Sequence, residues 1–324
     1  MLDDKTVLIT GGTGSFGEYF TSYILDNYNP RKVIVFSRDE YKQYAMRNSL
    51  GNSKLHFMVG DVRDKERVKH AFRDVDYVIH AAAMKQVTTC EENPIEAIKT
   101  NIDGAINIIE SAIYNNVKKV VALSTDKAVS PINLYGGTKL ISDKLFALAN
   151  LNNDYDTIFS VVRYGNVACS RGSVVPFFKE LLESGITELP ITDYDMTRFW
   201  IGLNEGVNLV LKALDLSIGG EIYISKIPSF KITDLAKAMN PNGSMKEVGI
   251  RKGEKLHEVM LTAEDSLNAY EYEDYFVIYP NLKGVKQKGK IIEKGFEYSS
   301  KTNNLWLSVE DIKDLLRKEG YLCN

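Results

Sequence analysis

Five side chains in one stretch have the types and spacing for proton chemistry. In Leu123-Ser-Thr-Asp-Lys-Ala-Val-Ser-Pro-Ile-Asn-Leu-Tyr-Gly-Gly-Thr-Lys139, Thr125, Asp126 and Lys127 precede Tyr135 by eight to ten residues, and Lys139 follows it by four. An i, i+4 pair shares a helix face, which predicts that the Lys139 ammonium lies near the Tyr135 ring edge and lowers its pKa by favouring phenolate. A phenol tuned this way accepts an alcohol proton. The adjacent Asp126 and Lys127 point beyond a plain oxidation, because a dehydrogenase needs no second proton-transfer pair. A Tyr and a Lys four apart also meet by helical accident, so their meaning depends on the elements around them.

Those elements begin with Lys5-Thr-Val-Leu-Ile-Thr10, which reads as a buried strand running into Gly11-Gly-Thr-Gly-Ser-Phe-Gly17 and then an amphipathic helix with Tyr19, Phe20, Tyr23 and Ile24. Gly12, Gly14 and Gly17, or Gly11, Gly14 and Gly17 in the looser form, fit a dinucleotide fingerprint. Such glycines permit a tight turn and bring backbone amides to a pyrophosphate at the helix N-terminus. The next strand, Lys32 to Ser37, ends about twenty residues on, where an acidic residue grips the ribose 2′-hydroxyl of NAD. Ser37, Arg38 and Lys42 stand there instead, and two cations with a hydroxyl suit a 2′-phosphate. NADP is therefore the expected cofactor, while Asp39 keeps NAD open.

Strand and helix patterns alternate through the first half, which predicts an α/β fold with a doubly wound parallel sheet. Further strands are expected at Leu55–Val59, Asp76–His80, Lys119–Leu123 and Thr157–Val162. Each leads at its carboxyl end into a motif of small or polar residues, and ligands of open α/β sheets bind beyond those ends. Asp61, with Val62, can meet an adenine or instead cap the following helix. Ala81, Ala82 and Ala83 let a cofactor lie against the backbone, or merely begin a helix. Lys85 can meet a phosphate or sugar, or stay an exposed lysine. Asn101 is expected mid-helix, donating toward the strand that carries Ser124. Residues 1–168 are read as the NADP-binding portion, with 202–232 returning to it, and 169–324 as a smaller interleaved substrate portion. Arg251-Lys-Gly-Glu-Lys-Leu-His257 reads as a charged turn entering a helix, either solvated or in contact with a diphosphate.

With 324 residues and 44% hydrophobic content the chain can bury a sizeable core. A net charge of −3 and a pI near 5.9 argue against nucleic acid or an anionic membrane as the main partner. Cys90, Cys169 and Cys323 lack paired spacing, and His56, His70, His80 and His257 form no ligand cluster, so neither a disulfide framework nor a metal site is expected. The chain enters a strand almost at once and holds no membrane-length apolar run, which predicts no signal peptide and a reducing cytoplasm.

Taken in order, these motifs resemble an extended short-chain dehydrogenase/reductase, specifically the inverting, 5-epimerising UDP-N-acetylglucosamine 4,6-dehydratases that begin pseudaminic-acid synthesis. The resemblance runs through Gly11-Gly-Thr-Gly-Ser-Phe-Gly17, Ser37-Arg-Asp-Glu40, Gly60-Asp-Val-Arg-Asp64, His80-Ala-Ala-Ala-Met-Lys85, Ser124-Thr-Asp-Lys-Ala128, Arg163-Tyr-Gly-Asn-Val167, Ser170-Arg-Gly-Ser-Val174 and Met196-Thr-Arg-Phe-Trp200. Thr-Asp-Lys ahead of the Tyr is the selective part, since retaining relatives carry Asp-Glu there. It implies cofactor contacts from Gly11, Thr13, Gly14, Ser15, Phe16, Gly17, Ser37, Arg38, Asp39, Glu40, Lys42, Asp61, Val62, Ala81, Ala82, Ala83, Lys85, Asn101, Leu123, Ser124, Tyr135, Lys139, Tyr164 and Val167. It implies substrate contacts from Lys85, Thr125, Asn166, Ser173, Val174, Thr192, Met196, Arg198, Arg251 and Glu254. A homo-oligomer, dimer or hexamer, acting in flagellin or other glycan modification is implied as well.

The implied reaction has Tyr135 taking the C4 hydroxyl proton, Thr125 orienting that hydroxyl, Lys127 removing the C5 hydrogen and Asp126 protonating the C6 hydroxyl. Lys127 must be neutral to act so, which calls for a pKa lowered by burial or by Lys139. The residues leave open a retaining dehydratase, a plain 4-epimerase, and an idle NADP-binding sensor. The sensor would have no reason to keep Thr125, Asp126, Lys127, Tyr135 and Lys139 together.

Overall fold

The first strand, β1 (Thr6–Thr10), is buried along its whole length, as befits a strand covered on both faces by helices. The computed structural model describes residues 1–152, 155–165, 167, 172–280 and 288–322. After β1 the chain turns into α1 (Ser15–Asn27), which buries Phe16, Phe20 and Ile24. Alternation continues through β2 (Lys32–Ser37), α2 (Glu40–Leu50), β3 (Leu55–Val59), α3 (Lys65–Ala71) and β4 (Tyr77–His80). Two short helices, α4 (Val87–Glu92) and α5 (Pro94–Ile98), then a π-helical turn at Lys99–Asp103, lead into α6 (Gly104–Tyr114). Next come β5 (Lys119–Thr125), a 3-10 turn at Asp126–Ala128, α7 (Leu134–Ala149) and β6 (Ile158–Tyr164).

Beyond β6 the strands are short: α8 (Val174–Glu183), β7 (Glu188–Ile191), β8 (Thr197–Phe199), α9 (Leu203–Leu216), β9 (Ile222–Ser225), β10 (Ser229–Lys231) and α10 (Ile232–Met239) follow in order. The remainder holds β11 (Ser244–Glu247), β12 (Val259–Leu261), β13 (Ala269–Glu271), β14 (Tyr275–Ile278), β15 (Lys290–Ile291), β16 (Tyr298–Ser299) and α11 (Val309–Lys318). The central sheet runs β3-β2-β1-β4-β5-β6-β9 in parallel and is extended by antiparallel β14, β13 and β15. This is the doubly wound α/β sheet that the alternation predicts. Its order reverses between β1 and β4, and that switch point opens a crevice at the carboxyl ends of the strands. The β13–β15 extension carries no comparable signal in the sequence, because strands of two to four residues fall below any readable period.

One apolar core lies about this sheet. A second gathers Val175 and Phe178 of α8, Ile191 of β7, Trp200 just after β8, Phe230 of β10 and Leu235 of α10, with Ile312 and Leu316 of α11.

Three expectations need local correction. Asn101 lies in the π-helical turn and donates to Met84 O at 2.9 Å and Thr138 Oγ1 at 2.9 Å, not toward the strand of Ser124. The cap of α3 is Asp64, which accepts from Arg67 N, so Asp61 is left to other partners. The 251–257 turn leads into β12 rather than a helix, because its turn and bends give way to the pairing of β12 with β16.

Candidate active site

The switch-point crevice is a cavity of about 680 Å³ floored by the glycine turn. Gly11 holds φ +64°, and a Cβ there would lie 2.8 Å from Ala82 N. A Cβ on Gly17 would lie 2.5 Å from Gly12 Cα, so only glycine lets α1 approach the turn this closely. Gly14 caps α1 with no side-chain hydrogen bond, which leaves the first-turn amides and the positive helix end to an anion. At the far end of the cavity, Arg38 is 3.6 Å from Asp61 Oδ2 and Lys42 is 3.1 Å from Asp39 Oδ2. Asp61 is also held by Arg63, and although burial opposes it, these cations keep its carboxyl below the usual range. The crevice thus offers an amide-rich turn for a pyrophosphate and a cation-bearing rim for a ribose. That fits a nicotinamide dinucleotide.

His80 at the end of β4 anchors the crevice wall. Its Nδ1 shares a hydrogen bond of 2.8 Å with Thr10 Oγ1, and Thr10 Oγ1 also accepts from Ala82 N. Burial, with Lys139 adding to it, pushes the imidazole pKa down to about 3, so the ring stays neutral.

The proton-transfer groups meet where β5 ends and α7 begins. Asn133 caps α7 by accepting from Gly136 N at 2.8 Å and reaches across to donate to Gly253 O. That cap turns Tyr135 and Lys139 toward the crevice. Thr125 Oγ1 donates to Asp126 Oδ1 at 2.9 Å, and Lys127 Nζ donates to the same oxygen at 3.1 Å. Asp126 is fully buried, and its Oδ2 has no hydrogen-bond partner among the described residues. Burial alone would lower the Lys127 ammonium, yet Asp126 and Glu258 outweigh it and hold the pKa above the ordinary lysine range. The expectation of a base made neutral by burial or by Lys139 is therefore corrected: two carboxylates keep Lys127 charged.

Tyr135 departs from expectation too. Burial pushes its phenol up to about 12, with Lys127 pulling the other way. Lys139 instead donates to Leu123 O at 2.8 Å, and burial lowers its pKa against the pull of Asp143. Behind it, Ser124 Oγ donates to Asp143 Oδ2 at 2.6 Å, and Arg163 stands 3.5 Å from the same oxygen. The lysine is tied to the strand end rather than to the ring, because helical spacing alone does not fix where a four-carbon side chain ends.

A second cavity of about 480 Å³ adjoins the first, and Val167 lines both. Ser173, Val174, Thr192, Met196, Arg198, Arg251 and Glu254 all line it. Arg198 is largely spent on the protein: it donates to Thr197 O at 2.8 Å, Leu256 O at 3.1 Å and Lys255 O at 2.9 Å. Arg251 is exposed at the rim.

Of the expected cofactor residues, Thr13, Ser15, Phe16, Ser37, Val62, Ala81, Ala83, Lys85, Ser124 and Tyr164 share the first cavity with the glycines, Arg38, Asp39, Lys42, Asp61, Ala82, Leu123, Tyr135, Lys139 and Thr125. Glu40 is exposed at the start of α2 and Asn101 is buried under the Met84 loop, and neither lines it. Asn166 and the 168–171 segment with Cys169 lie outside the described residues, as does Cys323. Gly60, in the motif that follows β3, lines the first cavity as well, and Phe36, Thr100 and Leu203 line it without having been singled out; Phe36 lies one residue short of the end of β2, a signal that the strand-end rule could have used. Glu258 was missed with no local signal at all. Among the described residues no group of three or more His, Cys, Asp or Glu could hold a metal ion, and no helix is long and apolar enough to cross a membrane.

The strand order, glycine turn and Tyr135–Lys139 helix define an extended short-chain dehydrogenase/reductase of the Rossmann type. The chain belongs to the polysaccharide biosynthesis protein family, whose profile matches residues 7–280. A UDP-N-acetylglucosamine 4,6-dehydratase (inverting) from Campylobacter jejuni is 53% identical, covering 99% of this chain and 100% of the relative. A UDP-glucose 4-epimerase from Rickettsia canadensis is 42% identical over 99% of this chain and 98% of its own. The solved structure of Pen from Bacillus thuringiensis superposes with a TM-score of 0.93 at 38% identity, covering 99% of this chain and all of that one.

Proposed function

We propose that this chain is a UDP-N-acetylglucosamine 4,6-dehydratase that inverts C5. The observation that carries the reading is the buried Asp126–Lys127 pair, 3.1 Å apart, placed on the strand end that leads to Tyr135. A 4-epimerase needs one acid–base group at C4, whereas loss of water across C5–C6 needs a second pair. The 53% identical relative bears the same name over its full length.

A nicotinamide dinucleotide held in the first cavity would supply the hydride acceptor and then the donor. The glycine turn would hold its pyrophosphate. Arg38 and Lys42 would lie by its ribose and favour NADP over NAD. As the phenolate, which the charge of Lys127 and of an oxidised nicotinamide would favour against the burial that keeps the phenol protonated, Tyr135 takes the C4 hydroxyl proton as that carbon becomes a ketone, with Thr125 orienting the hydroxyl. The ketone acidifies the C5 hydrogen. Lys127 takes that proton while Asp126 gives one to the C6 hydroxyl, the C6–O bond breaks and water leaves. Hydride is then added at C6 and a proton at C5, and protonation on the opposite face inverts that carbon. The electrons balance, since the hydride lost at C4 is the one gained at C6.

The protein answers the need for a neutral lysine within the pair itself. A proton shifted from Lys127 to Asp126 turns an ion pair into a neutral base beside a protonated acid. A bound sugar that displaces water from the site removes the solvent that would otherwise favour the ionic form. After elimination the proton stands on Lys127 again, the arrangement described above.

The second cavity, with Arg251 at its rim and Phe178, Trp200 and Phe230 along its wall, is assigned to the nucleoside diphosphate. Residues 169–324 supply most of this substrate portion. A homo-oligomer acting in the cytoplasm completes the reading, and sedimentation of the purified protein would test the assembly. Incubation with UDP-N-acetylglucosamine tests the activity: a 6-deoxy-4-keto product is expected, and a C4 epimer that keeps its C6 hydroxyl would make the chain an epimerase.

A further inference from the structure

We propose that Glu258 is a positioning residue of the dehydration centre, its carboxylate holding Lys127 beside Asp126 and tying that pair to Arg198; this rests on the dehydratase reading above. Glu258 precedes β12 and is 2% exposed. Its Oε1 lies 3.5 Å from Lys127 Nζ and 3.8 Å from Arg198 Nε. Its Oε2 is sealed from solvent without a hydrogen-bond partner among the described residues. A carboxylate buried only to brace a loop would be expected to bond fully with its arginine, because an unsatisfied buried oxygen is costly. Here both contacts are longer than hydrogen bonds and one oxygen is spare. Burial and the nearby Asp126 push the Glu258 pKa up while Lys127, Arg198 and Lys255 pull it back, and the ionised carboxylate supplies charge at Lys127.

Its backbone is clamped to hold that charge in place. Glu258 N donates to Ser300 Oγ at 2.9 Å, Ser300 N donates back to Glu258 O at 2.8 Å, and Ser300 Oγ shares a hydrogen bond of 2.7 Å with Thr197 Oγ1. The charged and titratable groups facing Lys127 are Asp126, Glu258, Arg198 and Tyr135. Those facing Glu258 are Asp126, Lys127, Arg198 and Lys255. Lys127 thus sits between two carboxylates. Elimination needs the lysine nitrogen at the C5 hydrogen and the Asp126 carboxyl at the C6 oxygen together, and a displacement of about 1 Å can cost on the order of a hundredfold in rate.

The chemistry divides at this point. Oxidation at C4 uses Tyr135 and Thr125, whereas elimination uses Lys127 and Asp126, so loss of Glu258 should impair the second half alone. Glu258→Gln keeps the shape but removes the charge, and Glu258→Asp restores the charge at shorter reach. Each is incubated with NADP and UDP-N-acetylglucosamine in D₂O, alongside the wild type and with melting temperatures recorded. For E258Q, reduced nicotinamide is expected to accumulate in the steady state at 340 nm, while 6-deoxy product and deuterium wash-in at C5 fall by tenfold or more. E258D recovers part of that loss. The proposal is overturned if E258Q dehydrates at the wild-type rate, or if product falls in both variants without accumulation of reduced nicotinamide. A wild type that forms no 6-deoxy product would instead overturn the dehydratase reading.

Discussion

A Cβ added to Gly136 would lie 2.2 Å from the Lys127 carbonyl oxygen. The first turn of α7 is thus pressed onto the 3-10 turn that carries Asp126 and Lys127, and glycine is what permits the approach. Alanine ordinarily favours a helix by about 1 kcal/mol over glycine, but here it must displace the turn. Gly136→Ala is expected to lower kcat by at least about tenfold while leaving the cofactor dissociation constant nearly unchanged. Steady-state product assays and fluorescence titration with NADPH measure the two quantities.

Asp126→Asn and Lys127→Ala should separate the half-reactions. Each is expected to cut formation of the 6-deoxy sugar by about 10² to 10⁴, the usual worth of a general acid or base. Tyr135→Phe should abolish oxidation as well. Stopped-flow absorbance at 340 nm reads the difference: the first two variants still reduce bound NADP, and the third does not. Wild-type rates in Asp126→Asn and Lys127→Ala would remove them from the mechanism.

His80 predicts a limb of acid instability. Its pKa falls from an ordinary 6.5 to about 3 because burial disfavours the cation. The unfolded chain therefore binds a proton across that interval that the folded chain refuses. The stability is present above pH 6.5 and lost as pH falls toward 3, by at most about 5 kcal/mol. Melting temperatures at pH 7 and pH 4.5 should converge in His80→Asn, which keeps an acceptor for Thr10.

Arg38 should set the choice of cofactor. It stands 3.6 Å from Asp61 Oδ2 and is more than half exposed, so its guanidinium can reach a ribose phosphate at the rim. Arg38→Ala is expected to weaken NADP binding by roughly tenfold to a hundredfold, the worth of a charge-assisted contact, and to leave NAD binding little changed. Calorimetric titration with each dinucleotide decides it, and equal losses for both would assign Arg38 no role in discrimination.

What the sequence made legible follows from how local each signal is. The glycine turn, the parallel strands and the shared face of Tyr135 and Lys139 depend on spacings within one or two elements, and they stand where the pattern puts them. The direction of the Tyr135 pKa was not legible, because burial of the ring outweighs the charge on Lys127 and burial is set by the whole fold. Asp61 was read as a possible cap for α3, but the helix begins later and Asp64 takes that place, accepting from Arg67 N. Glu258 was hidden for a further reason. It reaches Lys127 through the pairing of β12 with β16, late in the chain, in a stretch whose composition reads as an ordinary charged turn.

The most direct measurement follows one hydrogen. UDP-N-acetylglucosamine carrying deuterium at C4 is incubated with the purified protein and NADP in ordinary water, and the product is read by NMR. Intramolecular hydride return places that deuterium in the C6 methyl group, giving CH₂D on a 4-keto sugar whose C5 has the inverted configuration. A deuterium that stays at C4 in a sugar still bearing its C6 hydroxyl, or a 6-deoxy product with no deuterium at C6, would contradict it.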